Sequence, residues 1–432
     1  MFRFASLLYL LSVLAACGGE PEPAATATEP PPTSGVGAVA FSGATIWDGT
    51  GTAPQENVSL IVRDGRVESI STQVPAGAEV VDVSGKFIVP GIINSHGHVS
   101  GRWADDAVTD PAERIRGDLA LYARYGVTSV LSLGGEPAEA RDVRDGQASA
   151  GLTHARLRYA GNVIADETAE EASATAFANI EQGVDWLKLR VDDNLGTTAK
   201  MPWPAVQAAI NAGKAADKPV ATHVFYMDDA AQLLAMGTSL IAHSVRDQAV
   251  SDDFVQALLD SGVCYVPTLV REVSTFVYAE RPDWFDDPFF LEGAKRSEVE
   301  RVSQPEYMAE TAASPMAAGY RQALVQAQEN LRILLGSGVP IAFGTDSGVA
   351  GRFPGYFEHL EFGLMSEAGL TSREILMSAT SVAANCLGLD DVGTLESGNW
   401  ADFVVLDEDP VEDIVAMRSI DVVYIAGNTV PR

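Results

Sequence analysis

The 432-residue sequence is poor in positive charge. It has 29 lysine and arginine residues against 59 aspartate and glutamate residues, which gives a formal net charge of −30. Nucleic acids and anionic membrane surfaces are bound through basic patches, so the composition argues against both as partners. We interpret the acidity as a well-solvated surface that identifies no substrate.

Cysteine and phosphate-binding motifs are also scarce. The only cysteines are Cys17, Cys264 and Cys386. Because the last two lie in apolar surroundings and one pair does not define a disulfide framework, we expect both to be core thiols. Neither a P-loop nor a dinucleotide-binding glycine motif is present, which leaves phosphoryl and hydride transfer without support.

Long apolar runs are absent after residue 16, so no later segment is expected to cross a bilayer. Residues 1–16 are apolar after a short start and lead into the sequence LAAC, which ends at Cys17 and resembles the bacterial lipobox. We therefore predict a lipoprotein signal peptide over residues 1–16 and lipidation of Cys17. Residues 17–36, rich in proline, alanine and threonine, would form the tether. An ordinary secretory signal is the alternative.

This reading of the start of the chain predicts a location in the bacterial cell envelope. Contact with a membrane would be made only through the lipid anchor at Cys17. By resemblance to lipoprotein sorting, Gly18 after the cysteine favours the outer membrane, with the protein facing the periplasm.

Short β-branched runs alternate with longer segments of helical spacing from residue 87 onward. This alternation is typical of parallel βα units, and eight such units close into a barrel. The predicted barrel strands are residues 87–93, 127–133, 156–159, 186–189, 220–223, 240–243, 264–268 and 341–345.

Short alternating strands lie on both sides of the repeating region. The sequence therefore predicts an α/β protein, with a (β/α)8 TIM barrel over residues 87–392. Residues 37–86 and 393–432 would form a small β-sandwich domain built from both chain ends. The segment 272–317 is long for a βα loop and rich in aromatic residues, so a lid is one interpretation of it.

Six polar residues fall at or near the carboxyl ends of predicted strands, where barrels of this type place their active sites. His96 and His98 are two positions apart, so in an extended segment both imidazoles share a face and can reach one metal. Four of the six histidines of the chain lie at the same end of three strands, which independent structural roles explain poorly. The six residues are His96, His98, Lys188, His223, His243 and Asp346.

Lys188 is unusual because it lies in an otherwise apolar strand. An unpaired buried ammonium is costly, so a lysine at this position needs a chemical reason.

Taken in order, several motifs resemble the amidohydrolase superfamily, in particular its imidazolonepropionase-like and metal-dependent Xaa-Pro dipeptidase (prolidase-like) branch. The motifs are residues 89–98 (VPGIINSHGH), 185–188 (DWLK), 267–269 (PTL), 344–347 (GTDS) and 398–402 (GNWAD). The resemblance extends over nearly the whole chain from about residue 40 to the end.

The resemblance implies a site with two divalent metals. It assigns His96, His98 and Asp346 to the first metal, His223 and His243 to the second, and a carboxylated Lys188 to the bridge between them. Mixed nitrogen and oxygen ligands favour zinc. The resemblance also implies that Asp346 is the catalytic general acid and base.

The implied substrate is a small molecule with an amide bond, such as a dipeptide or an N-acyl amino acid. Candidate substrate contacts are Arg190, Tyr226, Arg271 and His359. Peptidase relatives commonly show His-x-Tyr after the fifth strand, whereas this chain has Tyr226 three places after His223, which weakens a transfer of prolidase specificity.

Several alternatives remain open from the sequence. The same site could hydrolyse esters, lactones or organophosphates. A deaminase is disfavoured because no glutamate follows His223 closely. A surface-anchored binding protein on an inactive scaffold would normally have lost metal ligands, and none is missing here. A homo-oligomer is also compatible with the sequence.

Overall fold

The computed structural model describes residues 37–431. The predicted signal peptide, lipidation site and tether, over residues 1–16, Cys17 and 17–36, lie outside the described residues.

Among residues 37–431, no helix combines the length and the apolar character that crossing a membrane requires.

The strands are β1 (Ala38–Ile46), β2 (Gln55–Arg63), β3 (Arg66–Ser71), β4 (Glu79–Asp82), β5 (Phe87–Pro90), β6 (Ile92–Gly97), β7 (Val127–Ser132), β8 (Arg156–Tyr159), β9 (Leu187–Arg190), β10 (Val220–His223), β11 (Leu240–Ala242), β12 (Cys264–Val266), β13 (Phe403–Leu406), β14 (Ile420–Ile425) and β15 (Asn428–Thr429).

The helices are α1 (Pro111–Arg124), α2 (Ala140–Asp145), α3 (Ala169–Glu181), α4 (Trp203–Ala215), α5 (Met227–Met236), α6 (Asp252–Ser261), α7 (Leu269–Val273), α8 (Pro288–Leu291), α9 (Arg296–Val302), α10 (Pro305–Ala313), α11 (Pro315–Gly336), α12 (Tyr356–Glu367), α13 (Ser372–Ser378) and α14 (Ser381–Leu387). Short 3-10 turns cover Val277–Ala279, Asp283–Asp286 and Ile414–Arg418.

Segments from both ends of the chain form one eight-stranded sheet, in the order β15-β14-β13-β5-β1-β2-β3 with β4 also paired to β1. Its core includes the rings of Phe41, Phe403 and Tyr424, whose centroids lie 4.7–4.9 Å apart. β5 pairs with β13, so the last part of the chain is hydrogen-bonded to the segment that leads into the barrel. The β-rich domain built from both chain ends is therefore as predicted, although one branched sheet forms it.

The barrel is built from two parallel sheets, β6-β7-β8 and β9-β10-β11-β12. Ile164 pairs with Leu189 and joins the first sheet to the second. Residues 341–347 complete the ring, because Ile341 pairs with Tyr265 of β12 and Ser347 pairs with Gly97 of β6. The predicted (β/α)8 architecture is confirmed.

Two predicted strands differ in detail from the structure. The run 87–93 is divided at Gly91, and its first half joins the terminal sheet while its second half begins the barrel. The division requires a close approach, since a Cβ on Gly91 would lie 2.1 Å from the hydroxyl of Thr128. The predicted eighth strand, 341–345, makes only isolated pairings, because the amide of Phe343 donates to the carbonyl of Ser378 instead of to a neighbouring strand.

The segment 272–317 folds into a layer of short helices with its own aromatic core. Tyr278, Phe285 and Phe290 are buried there, each 3% exposed or less. The hydroxyl of Tyr125, at the end of α1, donates to the carbonyl of Phe290 at 3.1 Å. The segment is therefore an ordered layer of short helices that packs against the end of α1.

Cys264 and Cys386 form a disulfide between β12 and α14, with a Cα–Cα distance of 5.8 Å. The prediction of two unbonded core thiols is therefore wrong. The residues are 122 positions apart, and only the closure of the barrel brings them together.

Candidate metal centre

Three buried side chains converge at the carboxyl ends of the barrel strands. His96 lies near the end of β6, His243 directly follows β11, and Asp346 lies in the segment that closes the ring. One ligand atom from each lies within 4.8 Å of the others. Nitrogen and oxygen donors in such a cluster suit a divalent metal.

His98 shows why a cation fits this cluster. Its Nδ1 lies 2.8 Å from the carbonyl oxygen of Gly134, which can only accept a hydrogen bond, so Nδ1 holds a proton. Its Nε2 lies 2.7 Å from Oδ1 of Asp346. In the neutral imidazole, Nε2 of His98 and Oδ1 of Asp346 are both acceptors. Two acceptors at this distance repel each other unless a proton or a metal ion lies between them.

His223 and His243 each have one ring nitrogen engaged by an outer partner. The Nε2 of His223 donates to Oδ2 of Asp192 at 3.0 Å, and the Nδ1 of His243 lies 2.7 Å from the hydroxyl of Thr268. The two rings are 4.0 Å apart between centroids. Outer partners of this kind fix the ring orientation and leave the second nitrogen available for a metal.

Burial keeps the imidazoles in the form that binds metals. It lowers the pKa of His96 and His243 well below the usual range, and lowers the pKa of His223 to about 4. Neutral histidine is the metal-ligating species. One nitrogen of His96, Nδ1, is buried without a hydrogen-bond partner.

Lys188 lies on β9 and is 3% exposed. Its Nζ is 3.2 Å from Nε2 of His96. Burial lowers the pKa of Lys188 to about 7, so much of the amine is neutral at neutral pH. The structure thus brings the lysine into the same cluster as the histidines and Asp346.

Asp346 has a cationic neighbour that the sequence did not indicate. Nη1 of Arg352 forms an ion pair with its Oδ2, and Nε of Arg352 donates to the hydroxyl of Ser274 at 2.9 Å. Burial acts to raise the pKa of Asp346. The neighbouring Arg352, His96 and His98 outweigh burial and hold that pKa well below its usual range. The carboxylate is ionised at neutral pH.

Three residues of the centre adopt the left-handed backbone conformation. They are His243 (φ 75°), Thr268 (φ 48°) and Asp346 (φ 58°). A residue other than glycine in this region costs about 1–3 kcal/mol and persists only where its surroundings hold it.

The four candidate substrate contacts are placed differently. Arg271 is 6% exposed and its Nη2 donates to the hydroxyl of Tyr320 at 3.3 Å, while its buried Nε has no partner. The pKa values of Lys188 and His223 are lowered mainly by the burial of those two side chains, and the charge of Arg271 lowers them further. Tyr226 donates to Asp193 at 2.8 Å.

Arg190 is exposed, and His359 lies apart from the cluster. The Nε2 of His359 donates to the carbonyl of Tyr125 at 2.9 Å, and its ring packs on Phe289 and Phe362. The structure therefore does not bring His359 together with the metal ligands.

Asp192, Thr268 and Arg352 were missed from the sequence. A run of Asp192, Asp193 and Asn194 shortly after β9 was the available signal for the first of them. Thr268 lies in the motif 267–269, but its hydrogen bond to His243 could not be read from that motif, and Arg352 is an ordinary loop residue that no local pattern marks.

The sequence profile of the amidohydrolase family matches residues 87–430. The imidazolonepropionase of Deinococcus deserti is 24% identical over 381 residues, which cover 83% of this chain and 88% of that protein.

Two crystal structures resemble the fold. One is of a protein assigned as a prolidase from Bifidobacterium longum, with a TM-score of 0.73 and 23% identity over 92% of this chain and 95% of that one. The other is a Xaa-Pro dipeptidase with methionine bound in its active site. It has a TM-score of 0.72 and 21% identity, and the match covers 91% of this chain and 99% of that one.

Proposed function

The chain belongs to the amidohydrolase family, whose members are metal-dependent hydrolases, and from this premise we propose a two-metal enzyme that cleaves a carbon–nitrogen bond. The proposed substrate is a small molecule with an amide bond and a carboxylate, such as a dipeptide or an N-acyl amino acid. The observation that supports two metals is the position of Lys188. Its buried amine lies beside His96 and close enough to Asp346 for the charge of that carboxylate to affect its pKa. The imidazolonepropionase and dipeptidase likenesses support the choice of bond.

The proposed ligand set is the one that the family resemblance implies. His96, His98 and Asp346 would hold one metal, and His223 and His243 the other. When bound, two divalent ions, of which zinc suits the donors best, lower the pKa of a water molecule and polarise the carbonyl that it attacks.

Lys188 would join the two halves as a carbamate. A neutral amine is the form that adds to carbon dioxide, with formation of a nitrogen–carbon bond and loss of a proton. The burial that lowers the pKa of Lys188 to about 7 supplies that form. The resulting anionic oxygen donors replace an ammonium that would otherwise be stranded in the barrel.

Asp346 is the group placed to move the proton. Its carboxylate is ionised and lies at the centre of the cluster, in contact with His98. It can accept a proton from the attacking water and deliver that proton to the leaving amine. A leaving amine that departs protonated completes the hydrolysis.

Two guanidinium groups support a substrate with negative charge. Arg352 is paired with Asp346, and the charge of Arg271 acts on Lys188 and His223. Arginine recognises carboxylates through paired hydrogen bonds. Nη1 of Arg271 is paired with Glu272 at 3.1 Å, so the buried Nε of Arg271, which has no partner, is the donor that a carboxylate next to the scissile amide would use.

The test is hydrolysis of a matched panel by the full-length protein with and without a chelator. Each N-acyl amino acid is paired with its methyl ester at the carboxyl end and with the corresponding O-acyl hydroxy acid. We expect hydrolysis of the amide with the free carboxylate, about two metals per chain, and loss of activity with the chelator. Preferred hydrolysis of the oxygen esters or of lactones would favour the esterase alternative, and metal-independent turnover would contradict the proposal.

We also propose that the protein is exported and anchored in the cell envelope through Cys17. The disulfide between Cys264 and Cys386 supports export, because such bonds persist in oxidising compartments. Cell fractionation of the natural protein and of Cys17→Ser tests this. The proposal requires the natural protein in the membrane fraction and the variant in the soluble periplasmic fraction; an unchanged distribution would contradict lipidation.

A further inference from the structure

Helix α12 contains two buried carboxylates one turn apart, Glu358 and Glu361. Both side chains are completely buried. Residues three apart on a helix lie on the same face, so both face the closing segment of the barrel and the start of α7. Both accept hydrogen bonds from uncharged donors only.

Glu358 holds the residues on either side of Asp346. Its Oε1 accepts from the hydroxyl of Thr345 at 2.8 Å and from the hydroxyl of Ser347 at 2.6 Å. The residue between them, Asp346, is in the left-handed conformation. The carboxylate therefore fixes the backbone on both sides of a residue that needs outside support to keep its conformation.

The same oxygen of Glu358 also reaches the strand of His96. It accepts from the side-chain amide of Asn94 at 2.7 Å, and the amide oxygen of Asn94 accepts from the backbone N–H of His96 at 3.0 Å. A single carboxylate thus ties β6 to the Asp346 segment, which are two sources of ligands for the first metal.

Glu361 makes the equivalent contact on the other side of the centre. Its two oxygens accept from the backbone N–H groups of Leu269 at 2.8 Å and Val270 at 2.6 Å, which begin α7. Thr268, directly before them, is left-handed and bonds to Nδ1 of His243. Glu361 therefore fixes the backbone beside the residue that orients a ligand of the second metal.

We propose that α12 positions the two halves of the metal centre separately, Glu358 the half that contains His96 and Asp346, and Glu361 the half that contains His243. This inference rests on the proposed two-metal function. Glu358 and Glu361 act through other residues and are positioning residues. If both carboxylates only stabilised the barrel, substitution of either one would weaken the binding of both metals to the same degree.

The test compares Glu358→Gln with Glu361→Gln in the full-length protein. Each is stripped of metal, reloaded with Co²⁺ and titrated with a chelator, while bound metal and the visible absorption of the cobalt are recorded. His98→Ala and His223→Ala supply the reference spectra of proteins disturbed at the first and at the second site. Unfolding by denaturant is followed in the metal-free proteins, so that a general loss of stability is recognised.

We expect Glu358→Gln to raise the dissociation constant of the first metal by about 10- to 100-fold and to leave the second within about twofold. Glu361→Gln should do the reverse. If the glutamine variants do not fold, Thr345→Val and Glu361→Asp replace them, with Thr345→Ser as the control that keeps the hydroxyl. Glu361→Asp keeps the carboxyl group on a shorter side chain that cannot reach both N–H groups.

The outcomes separate this inference from the proposed function. If the natural protein binds fewer than two cobalt ions, the two-metal function is wrong. If it binds two, and the variants either keep both affinities or weaken both sites alike, the function stands and the separate roles of Glu358 and Glu361 are wrong.

Discussion

The amine of Lys188 lies 3.2 Å from Nε2 of His96, and both side chains are almost completely buried. An ammonium beside a neutral imidazole, without a carboxylate in direct contact, is a poor arrangement for charge. The proposed conversion of the lysine to an anionic metal ligand would make the arrangement favourable.

Lys188→Ala should therefore remove the bridge between the two halves of the site. We expect a fall in kcat/KM of at least about 100-fold, which corresponds to about 2.7 kcal/mol of transition-state stabilisation, and loss of metal binding at stoichiometric concentrations. Lys214→Ala, at an exposed lysine of α4, is the matched control and should behave as the natural protein. Full activity of Lys188→Ala with two metals bound would contradict the bridging role.

A buried ion pair connects the barrel to the terminal sheet. Nε of Arg156 donates to Asp402 at 2.6 Å and Nη2 donates at 3.1 Å, and both side chains are less than 10% exposed. Asp402→Ala leaves the guanidinium buried without its partner, so we expect a loss of about 3–5 kcal/mol in the free energy of unfolding. Asp286→Ala, which breaks the exposed pair with Arg281, should cost less than about 1 kcal/mol. Equal effects in denaturant unfolding would show that Asp402 is not a structural link.

The disulfide closes a long loop of the unfolded chain. Replacement of Cys264 and Cys386 by serine should lower the free energy of unfolding by about 2–4 kcal/mol, because the unfolded chain gains conformational freedom. Denaturant unfolding with and without reductant measures this. The reductant should destabilise the natural protein by the same amount and leave the double variant unchanged; an insensitive natural protein would mean that the bond is not formed.

His359 should make the protein sensitive to acid. Burial lowers its pKa to about 4, whereas a histidine in the unfolded chain titrates near 6.5. Between about pH 6.5 and 4 the unfolded chain therefore binds a proton that the folded protein does not, and the free energy of unfolding falls as the pH falls. His359→Phe should reduce the slope of this free energy against pH by up to about 1.4 kcal/mol per pH unit.

Both proteins should be measured saturated with metal. The ligand histidines then contribute equally to the pH dependence of the free energy of unfolding in the natural protein and in His359→Phe. Denaturant unfolding at pH 5 and pH 7 gives the slope. Identical slopes for the natural protein and His359→Phe would show that His359 titrates normally in the folded state.

The barrel and the six clustered residues could be predicted because each leaves a local signal. A buried strand is expected to be apolar, so the polar residues His223, at the end of one apolar run, and Lys188, inside another, stand out in the sequence. The roles of the outer partners Asp192 and Thr268 could not be predicted in this way, because each depends on a contact with a histidine from a different strand. The role of Glu358 is hidden for the same reason, because the side chains that donate to it lie 11 to 264 positions away.

Continuous apolar runs were also ambiguous. Residues 87–93 contain no change of composition that marks where the chain leaves one sheet and enters another, and only the close contact of Gly91 with Thr128 decides it. The pairing of Cys264 with Cys386 likewise depends on closure of the ring and could not be inferred from their spacing.

The pairing of β5 with β13 has a consequence for the order in which the protein is made. β5 leads within two residues into the strand of His96, yet one of its two partners, β13, begins only at Phe403. A chain emerging from the ribosome can pair β5 with β1 early, but it must leave the other edge of β5 open until more than 300 further residues have followed, and an open strand edge invites wrong partners. The base of the strand that carries His96 is therefore paired on both edges only after β13 has been made.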